Sequence, residues 1–553
     1  MSHLRVIIVL ASILALNLSG FAQQRVHPPE GRELDHVHVR FRWQPLKGLL
    51  GNYFLQVVED NGQPDPFTGN PAVVFQQVLG GDPRTVVTDG LEFGKAYAWR
   101  AIALVAPLPG VRAATPTHRF TTKTLPSFAP VITVTRPPGA GPVQPGVTIF
   151  NRRIGGNPLP GGLGYLVGVD EDGEYVWFYE YAARRVTDAR QVEDGHFYWL
   201  MGSPVDAPNP GRAVEMTLYG DVIWISPGGE DDPYVHHECS RMPNGNGLVL
   251  TYEHRTFPGM VPSDWRGDRI IEYDRHTHEI VGEWNSFDHY SLVDHQLSGP
   301  GGDWTHGNSA TFNPLDGCVY YSARHISRVT RIDWATKQVV YNMGWDLPSG
   351  DATFGDNLFS YQHAPQLLPN GNMVLFDNGN YLFPLTDPRQ SAAIELAFDD
   401  PDNPTSAQVV WRYDLVDDLG DPWLSPFLGD ADRLANGNTL LTDGPDTALY
   451  EVDANSQLVW KIKVGVSFPD GAIYRAERID SLVKDTPGDI DDDWDLDMHD
   501  LAVLQNHFDG PVPGFPEKLS DTDGNGSLDV DDFDHFFRWM SGPPNFLPQI
   551  PNE

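Results

Sequence analysis

The chain has 553 residues, a formal net charge of -37 and 40% hydrophobic residues. That length exceeds one ordinary core and predicts several domains, while so negative a field repels phosphate backbones and excludes nucleic acid as a natural partner. With 54 Gly, 47 Pro, 15 Trp and 11% aromatic residues, the composition fits a turn-rich, all-β chain better than a helical one.

Residues 1–22 read as a signal peptide. Arg5 supplies positive charge, Val6 to Leu18 is an apolar run of h-region length, and Gly20-Phe21-Ala22 offers small residues for cleavage. The run is too short for an ordinary membrane span, and nothing later is long and apolar enough. The expected product is exported, periplasmic or extracellular, with no transmembrane segment after cleavage. Cys239 and Cys318 are no disulfide framework. A pair, or two small buried residues, are equal readings.

Residues 27–125 carry short alternating runs, at Val37–Trp43, Tyr53–Val58 and Ala96–Ala101, separated by Gly/Pro/Asp clusters. Strands at this spacing predict a small sandwich. Tyr97-Ala98-Trp99-Arg100 and the closing Arg119-Phe120-Thr121-Thr122 resemble a fibronectin type III or related immunoglobulin-like module.

After a Pro/Gly-rich connection from Pro126 to Pro145, two kinds of hairpin alternate. One is a strand, a polar turn and a strand ending in an aromatic, at 168–177, 219–224, 272–284, 331–341, 394–411 and 451–460. The other turns at Asp194-Gly195, Asn244-Gly245, Asp316-Gly317, Asn370-Gly371 and Asn436-Gly437. Asn-Gly turns of this kind are expected to hold both central residues at φ > 0. Two hairpins make a four-stranded sheet, and repeats of roughly 50 to 70 residues suit propeller blades with insertions. The expectation is a six-bladed β-propeller over 127–480. Gly146–Phe150 supplies a strand of the first blade, and Ile473–Arg478 helps close the ring.

From Asp485 the style changes. Asp489, Asp491, Asp493, Asp495 and Asp500 stand at positions 1, 3, 5, 7 and 12 of one loop. Asp521, Asp523, Asn525, Ser527 and Asp532 do so in a second. Oxygen ligands at these positions suit Ca²⁺, with position 7 giving a backbone carbonyl. An acidic disordered tail does not explain two correctly spaced loops, each leading into an apolar helix. Trp494 stands where the first loop would have its turn glycine. Asp at position 12 and tandem loops resemble a dockerin. The resemblance implies a small α-helical module over 485–545 with structural Ca²⁺ and a cohesin-like or cell-surface partner.

Aligning the second kind of hairpin on its turn glycine brings out a constellation. His363 lies eight residues before Gly371, and His237 eight before Gly245. Between them Asp303-Trp304-Thr305-His306-Gly307-Asn308-Ser309 precedes a slightly longer turn. The equivalent positions near the other two turns are Gly429 and Thr187. In a propeller the first strand of each blade lines the central channel, so His237, His306 and His363 should meet at one end of it. Three histidines are also a zinc-ligand set. His236 is the alternative to His237.

His237-Glu238 ahead of Pro-Asn-Gly-Asn, the Asp303–Ser309 stretch, Ser322-Ala323-Arg324, and Gln362-His363 leading to Phe376-Asp377-Asn378-Gly379 together resemble the bacterial arylsulfate sulfotransferases. The resemblance covers the propeller and, loosely, the N-terminal sandwich. It implies transfer of a sulfuryl group from an aryl sulfate donor to a phenolic acceptor, without a nucleotide sulfate donor and with no cofactor for the chemistry. The absence of a GxxxxGK[ST] loop agrees. By resemblance His363 is the nucleophile that forms a sulfohistidine in a ping-pong reaction. Arg324 offers a charged fork for the moving group, and Asn308 and His237 add donors. His306 is the candidate acid and base. The competing readings are an aryl sulfate hydrolase on the same scaffold, and a non-catalytic propeller that binds sulfated or other anionic ligands.

Overall fold

The computed structural model describes residues 26–44, 52–80, 83–104, 113–154, 163–181, 185–202, 211–228, 234–294, 302–380, 389–469 and 471–485, and scattered positions from 488 to 536. The signal-peptide reading of 1–22 lies outside them. The described chain is nearly all β. Helical conformation among these residues is found at Ser286–His289, in a 3-10 turn at Arg324–Ile326 and at positions 500, 501, 532 and 536. No helix among these residues is long and apolar enough to cross a membrane.

Two compact units emerge. The first takes the residues up to Thr124 and from Val483. Its main sheet runs in the order Glu33–Leu34, His118–Thr122, Ala96–Ala103, Tyr53–Glu59, Val73–Leu79, and a separate pair joins Val39–Arg42 to Arg84–Val87. Alternation in these strands puts Phe41, Trp99 and Phe120 inside, where Phe41 meets Trp99 edge-on at 5.3 Å.

Among the described residues the second unit, Leu125 to Leu482, holds six antiparallel sheets; five are built from the two alternating hairpins, and the first has three consecutive strands completed by Gly471–Ala472 and Ala476–Ile479. Their innermost hairpin strands are Val147–Ile154, Arg185–Gln191, Val235–Arg241, Gly307–Asn313, His363–Leu367 and Asp430–Arg433. Neighbouring sheets pack through these strands in chain order, and Thr439–Asp443 of the last packs on Ala476–Ile479. The chain ends are interleaved as well. Ile132–Thr135 adds to the outer strand Leu458–Val464 of the last sheet, and Ala476–Ile479 pairs with Val147–Ile154 of the first. This arrangement is that of a propeller-like β fold.

The turns differ from the sequence expectation. Gly195, Gly245, Gly371 and Gly437 have φ of 84° to 89°, and the Asn or Asp before each does not share that conformation. In Met242 to Asn246, Met242 N donates to Asn246 O and Gly245 N to Met242 O. That is a type I turn closed by a left-handed glycine, a three-residue loop rather than two. Pro243 and Pro369 pre-set the first loop residue. The Asn side chain earns its place differently: Oδ1 of Asn244, Asn370 and Asn436 accepts from the N–H two residues on, at 2.9–3.1 Å.

Where the inner strands meet, buried charges are paired. Arg475 Nη1 reaches Asp188 Oδ1 and Glu238 Oε2, both at 2.9 Å, and Arg190 Nη2 reaches Glu238 Oε1 at 2.6 Å. Carboxylates so deep are tolerated only with such partners. Cys239 and Cys318 are both buried and free.

Candidate active site

Four inner strands carry a register shift at about the same height, between Thr187 and Ala189, Val235 and Cys239, Gly307 and Ser309, and His363 and Gln366. At or beside each shift one residue has positive φ: Asp188 at 50°, His237 at 59°, His306 at 48° and Ala364 at 47°. A bulge re-aims a side chain, and left-handed backbone at a non-glycine residue is strain that surrounding packing must hold. Three of the four re-aimed positions are histidines or the neighbour of one; the fourth is Asp188, which pairs with Arg475.

The structure brings the three histidines together. The His237 and His306 rings are 5.1 Å apart. Charge on His306 and on Arg324 is felt at His363, and His363 is felt at His237. The three are not, however, among the groups of described residues whose ligand atoms lie within 4.8 Å of one another, so the zinc reading gains nothing. One such group is Asp303, His306 and His325, but Arg266 already fills the carboxylate, with Nη2 2.6 Å from Asp303 Oδ2 and Nε 3.2 Å from Oδ1. A guanidinium there opposes a second cation.

His363 opens its strand and is 3% exposed. Its Nδ1 is 2.6 Å from Asn378 Oδ1. Asn378 Nδ2 donates to Ser425 O at 2.7 Å and Leu428 O at 2.9 Å. The amide nitrogen is thus fixed by two carbonyls, its oxygen can only accept, and the proton must sit on His363 Nδ1. That leaves Nε2 with a free lone pair. Burial, and then the Arg324 charge, hold His363 well below the usual histidine pKa, against the pull of Asn378.

His306 stands just before its strand. Its Nδ1 is 2.6 Å from Asp303 Oδ2, and its ring stacks on His325 at 4.4 Å. Burial pushes the Asp303 carboxyl up, but His306 and Arg266 outweigh it and leave the group well below the ordinary range. Asp303 is therefore an anion, and it orients His306 as a carboxylate orients a catalytic imidazole. His325 Nδ1 meets Asp303 O at 2.8 Å. Its pKa falls to about 4 through burial and the nearby His306.

Arg324 lies just past the strand Cys318–Ala323, at the start of the 3-10 turn rather than in the strand. Its Nη2 donates to Pro426 O at 2.8 Å, and its guanidinium covers the Tyr361 ring at 4.5 Å. Asn308 is fully buried, and its Nδ2 donates to Gln362 O at 2.8 Å. It therefore braces the residue before His363 as well as standing near it.

Two cavities matter. One of about 250 Å³ has His236, His237, Tyr234, Tyr252, Leu428 and Tyr474 in its wall. A larger one of about 470 Å³ is walled by Arg190, Asp430, Asp432, Arg433 and Glu477 among others, and none of the histidines lines it. Of the sequence-predicted site residues only His237 and its neighbour His236 line the smaller cavity; His306, His363 and Arg324 are not in its wall.

Sequence reasoning missed Asn378, Asp303, Arg266, Asp268 and Tyr474 as site residues. Asp303 and Asn378 sit inside motifs that were read, three and fifteen residues from their histidines. Tyr474, whose hydroxyl donates to Asn308 O at 2.7 Å, comes from the far end of the chain and leaves no local signal.

Of the calcium-loop positions, Asp489, Asp500 and Asp532 are buried. Asp532 Oδ1 accepts from Thr522 N at 2.7 Å, and Ser527 is exposed in a short strand. Asp521 is half-buried. Asp491, Asp493, Asp495, Asp523 and Asn525 lie outside the described residues.

The sequence model of the family described as Arylsulfotransferase (ASST) matches residues 160–475, more than half of the chain. No curated protein matches it. Similar solved structures include a protein of unknown function from Bacteroides caccae, with TM-score 0.38 and 14% identity over 60% of this chain and 98% of that one. Others are a catalytically inactive virginiamycin B lyase from Staphylococcus aureus with quinupristin, at 0.30 and 10% over 63% and 99%, and hydrazine synthase of Kuenenia stuttgartiensis, at 0.34 and 13% over 58% and 93%. Likenesses this distant bear on no detail of fold or activity.

Proposed function

Since the chain belongs to the arylsulfotransferase (ASST) family, we propose that it is an exported enzyme that moves a sulfuryl group from an aryl sulfate to a phenol through a sulfohistidine at His363. The observation that carries this reading is the His363–Asn378 contact, which leaves Nε2 of a neutral, buried imidazole with a free lone pair.

In the first step that lone pair forms an N–S bond while the ester S–O bond breaks. The departing phenolate takes a proton from His306, whose imidazolium is stabilised by Asp303. Negative charge spreads over the three sulfuryl oxygens, as in phosphoryl transfer, and Arg324 answers it. In the second step a phenol loses its proton, its oxygen bonds to sulfur, and the N–S electron pair returns to His363. One imidazole nucleophile thereby divides a difficult displacement into two easier ones.

We read the second unit as a six-bladed propeller closed at both chain ends, the 27–125 region as a fibronectin III or Ig-like sandwich, and the segment from Asp485 as dockerin-like tandem calcium loops. The spacing of oxygen ligands in the two acidic loops carries the last point.

Brief exposure to a nitrophenyl sulfate, followed by quenching and peptide mass analysis, tests the central claim. A sulfated His363 and its loss in His363→Ala support it. Phenol release that proceeds equally fast without acceptor indicates hydrolysis. Binding with neither turnover nor adduct would sink the reading.

A further inference from the structure

Building on that transfer reading, we infer that Asp268, His236 and His237 form a proton relay that activates the acceptor phenol, separate from the His306–Asp303 pair that serves the donor. The relay follows from hydrogen accounting. Asp268 is 1% exposed. Its Oδ2 accepts from Gly307 N at 2.6 Å, Tyr321 Oη at 2.7 Å and the Thr305 hydroxyl. Every neighbour is a donor, so Asp268 is an anion. Its Oδ1 is 3.2 Å from His236 Nε2. The contact is an ion-pair distance without hydrogen-bond alignment, and the carboxylate charge favours hydrogen on His236 Nε2 over a second lone pair beside it.

His236 is locked in place, its ring stacked on Tyr252 at 3.6 Å and 13°. Its Nδ1 lies 2.7 Å from His237 Nδ1. Two ring nitrogens at that distance share one hydrogen. With His236 neutral, the hydrogen belongs to His237 Nδ1, and His237 Nε2 is bare beside the small cavity. Burial lowers the pKa of both rings, further for His237 than for His236, so the resting pair is neutral.

The step balances. The phenolic proton moves to His237 Nε2, and the hydrogen on His237 Nδ1 moves to His236 Nδ1. His236 becomes an imidazolium facing the Asp268 carboxylate. The phenolate oxygen bonds to sulfur, the N–S bond to His363 breaks, and its electron pair returns to the ring. The relay then resets to solvent, which also recharges His306. Storing the proton on His236 has a physical reason. A cation on His237 would stand 5.1 Å, ring to ring, from His306. On His236 it still feels His306 and Arg266 but faces the Asp268 carboxylate at 3.2 Å.

Two variants test the relay. His236→Gln still donates to Asp268 and accepts from His237 but cannot take a proton. His236→Phe keeps the stack on Tyr252 and removes both contacts. Single-turnover experiments separate sulfation of His363 from its discharge onto phenols of different acidity. We expect sulfation within about 3-fold of the parent in both variants. Discharge onto a phenol of pKa about 10 should fall about 30- to 100-fold, and onto one of pKa about 7 less than about 5-fold. Equal losses in both half-reactions, or for both phenols, assign His236 a packing role and overturn the relay. Absence of sulfohistidine in the parent protein overturns the transfer reading itself, a separate outcome.

Discussion

Asn378 faces His363 with an oxygen that has no other choice: its two amide hydrogens are held by Ser425 O and Leu428 O, so Oδ1 accepts from Nδ1 at 2.6 Å. The reverse amide orientation would set oxygen against two carbonyl oxygens. The contact is a positioning device that acts through tautomer and ring angle rather than by touching substrate. In Asn378→Ala the imidazole can rotate and place its proton on Nε2. The burst rate of His363 sulfation should fall about 10²-fold, with donor KM little changed, because misplacing a reacting atom by about 1 Å costs that much. Rapid-quench measurement of the burst checks it. A burst that is as fast as in the parent would falsify the tautomer argument.

This contact also marks how far the sequence could be read. The turn glycines were legible, because each needs left-handed backbone, and counting back from them located His237 and His363. The turn type was not: the same three-residue loop forms with Pro243 or Pro369 and with Glu193 or Ala435 at its first position. Of the histidines' partners, Asp303 lies only three residues from His306, inside a legible motif, yet its role as a partner appears only in the structure. Asp268 meets His236 across two strands of a sheet and a third strand's Gly307 N–H. Arg475 reaches Asp188 and Glu238 only because the chain's end returns to the first sheet. Such pairings are set by strands that meet from distant parts of the chain, which no local pattern encodes.

Asp303 is expected to matter in proportion to the leaving group. It holds His306 Nδ1 at 2.6 Å and is itself held by Arg266. Asp303→Asn removes the charge that favours the imidazolium, so His306 becomes a poorer proton carrier. For phenyl sulfate, whose phenolate leaves reluctantly, kcat/KM should fall about 10²- to 10³-fold. For a nitrophenyl sulfate, which leaves without a proton, the loss should stay under about 10-fold. Steady-state rates over a series of substituted aryl sulfates give a steeper leaving-group dependence in the variant. Parallel lines for the two proteins would remove His306 from the acid role.

Arg324 combines a hydrogen bond to Pro426 O with a guanidinium face on Tyr361. The stack and the bond fix the planar group and so pre-orient its charge. Lysine keeps the charge but neither the fork nor the stack. Arg324→Lys should lower kcat/KM by about 10²-fold, the size expected for one oriented donor at developing negative charge. Thermal unfolding, measured in parallel, should move little. A drop in melting temperature with unchanged kcat/KM would make Arg324 a structural brace for Pro426.

Asp377 supplies the pH dependence that separates folding from catalysis. It is fully buried, and its Oδ1 accepts from Ser360 N and Gly379 N, both at 2.9 Å, tying the segment before His363 to the turn that carries Asn378. Its Oδ2 has only Arg412 Nη1, at 3.8 Å. Burial outweighs these contacts and raises its pKa from 3.8 to about 6. In that interval the folded state holds a proton that the unfolded state has released. Stability from this group is therefore complete below the unfolded value and lost as pH rises through the folded one. Asp377→Asn keeps an acceptor for both N–H groups and removes the titration. Relative to the parent, the variant should gain on the order of 1 to 3 kcal/mol between pH 4.5 and pH 7.5. Urea unfolding at those two pH values measures the difference. A gap between the two proteins that stays constant with pH would mean that Asp377 is ionised throughout, held by Arg412 after all.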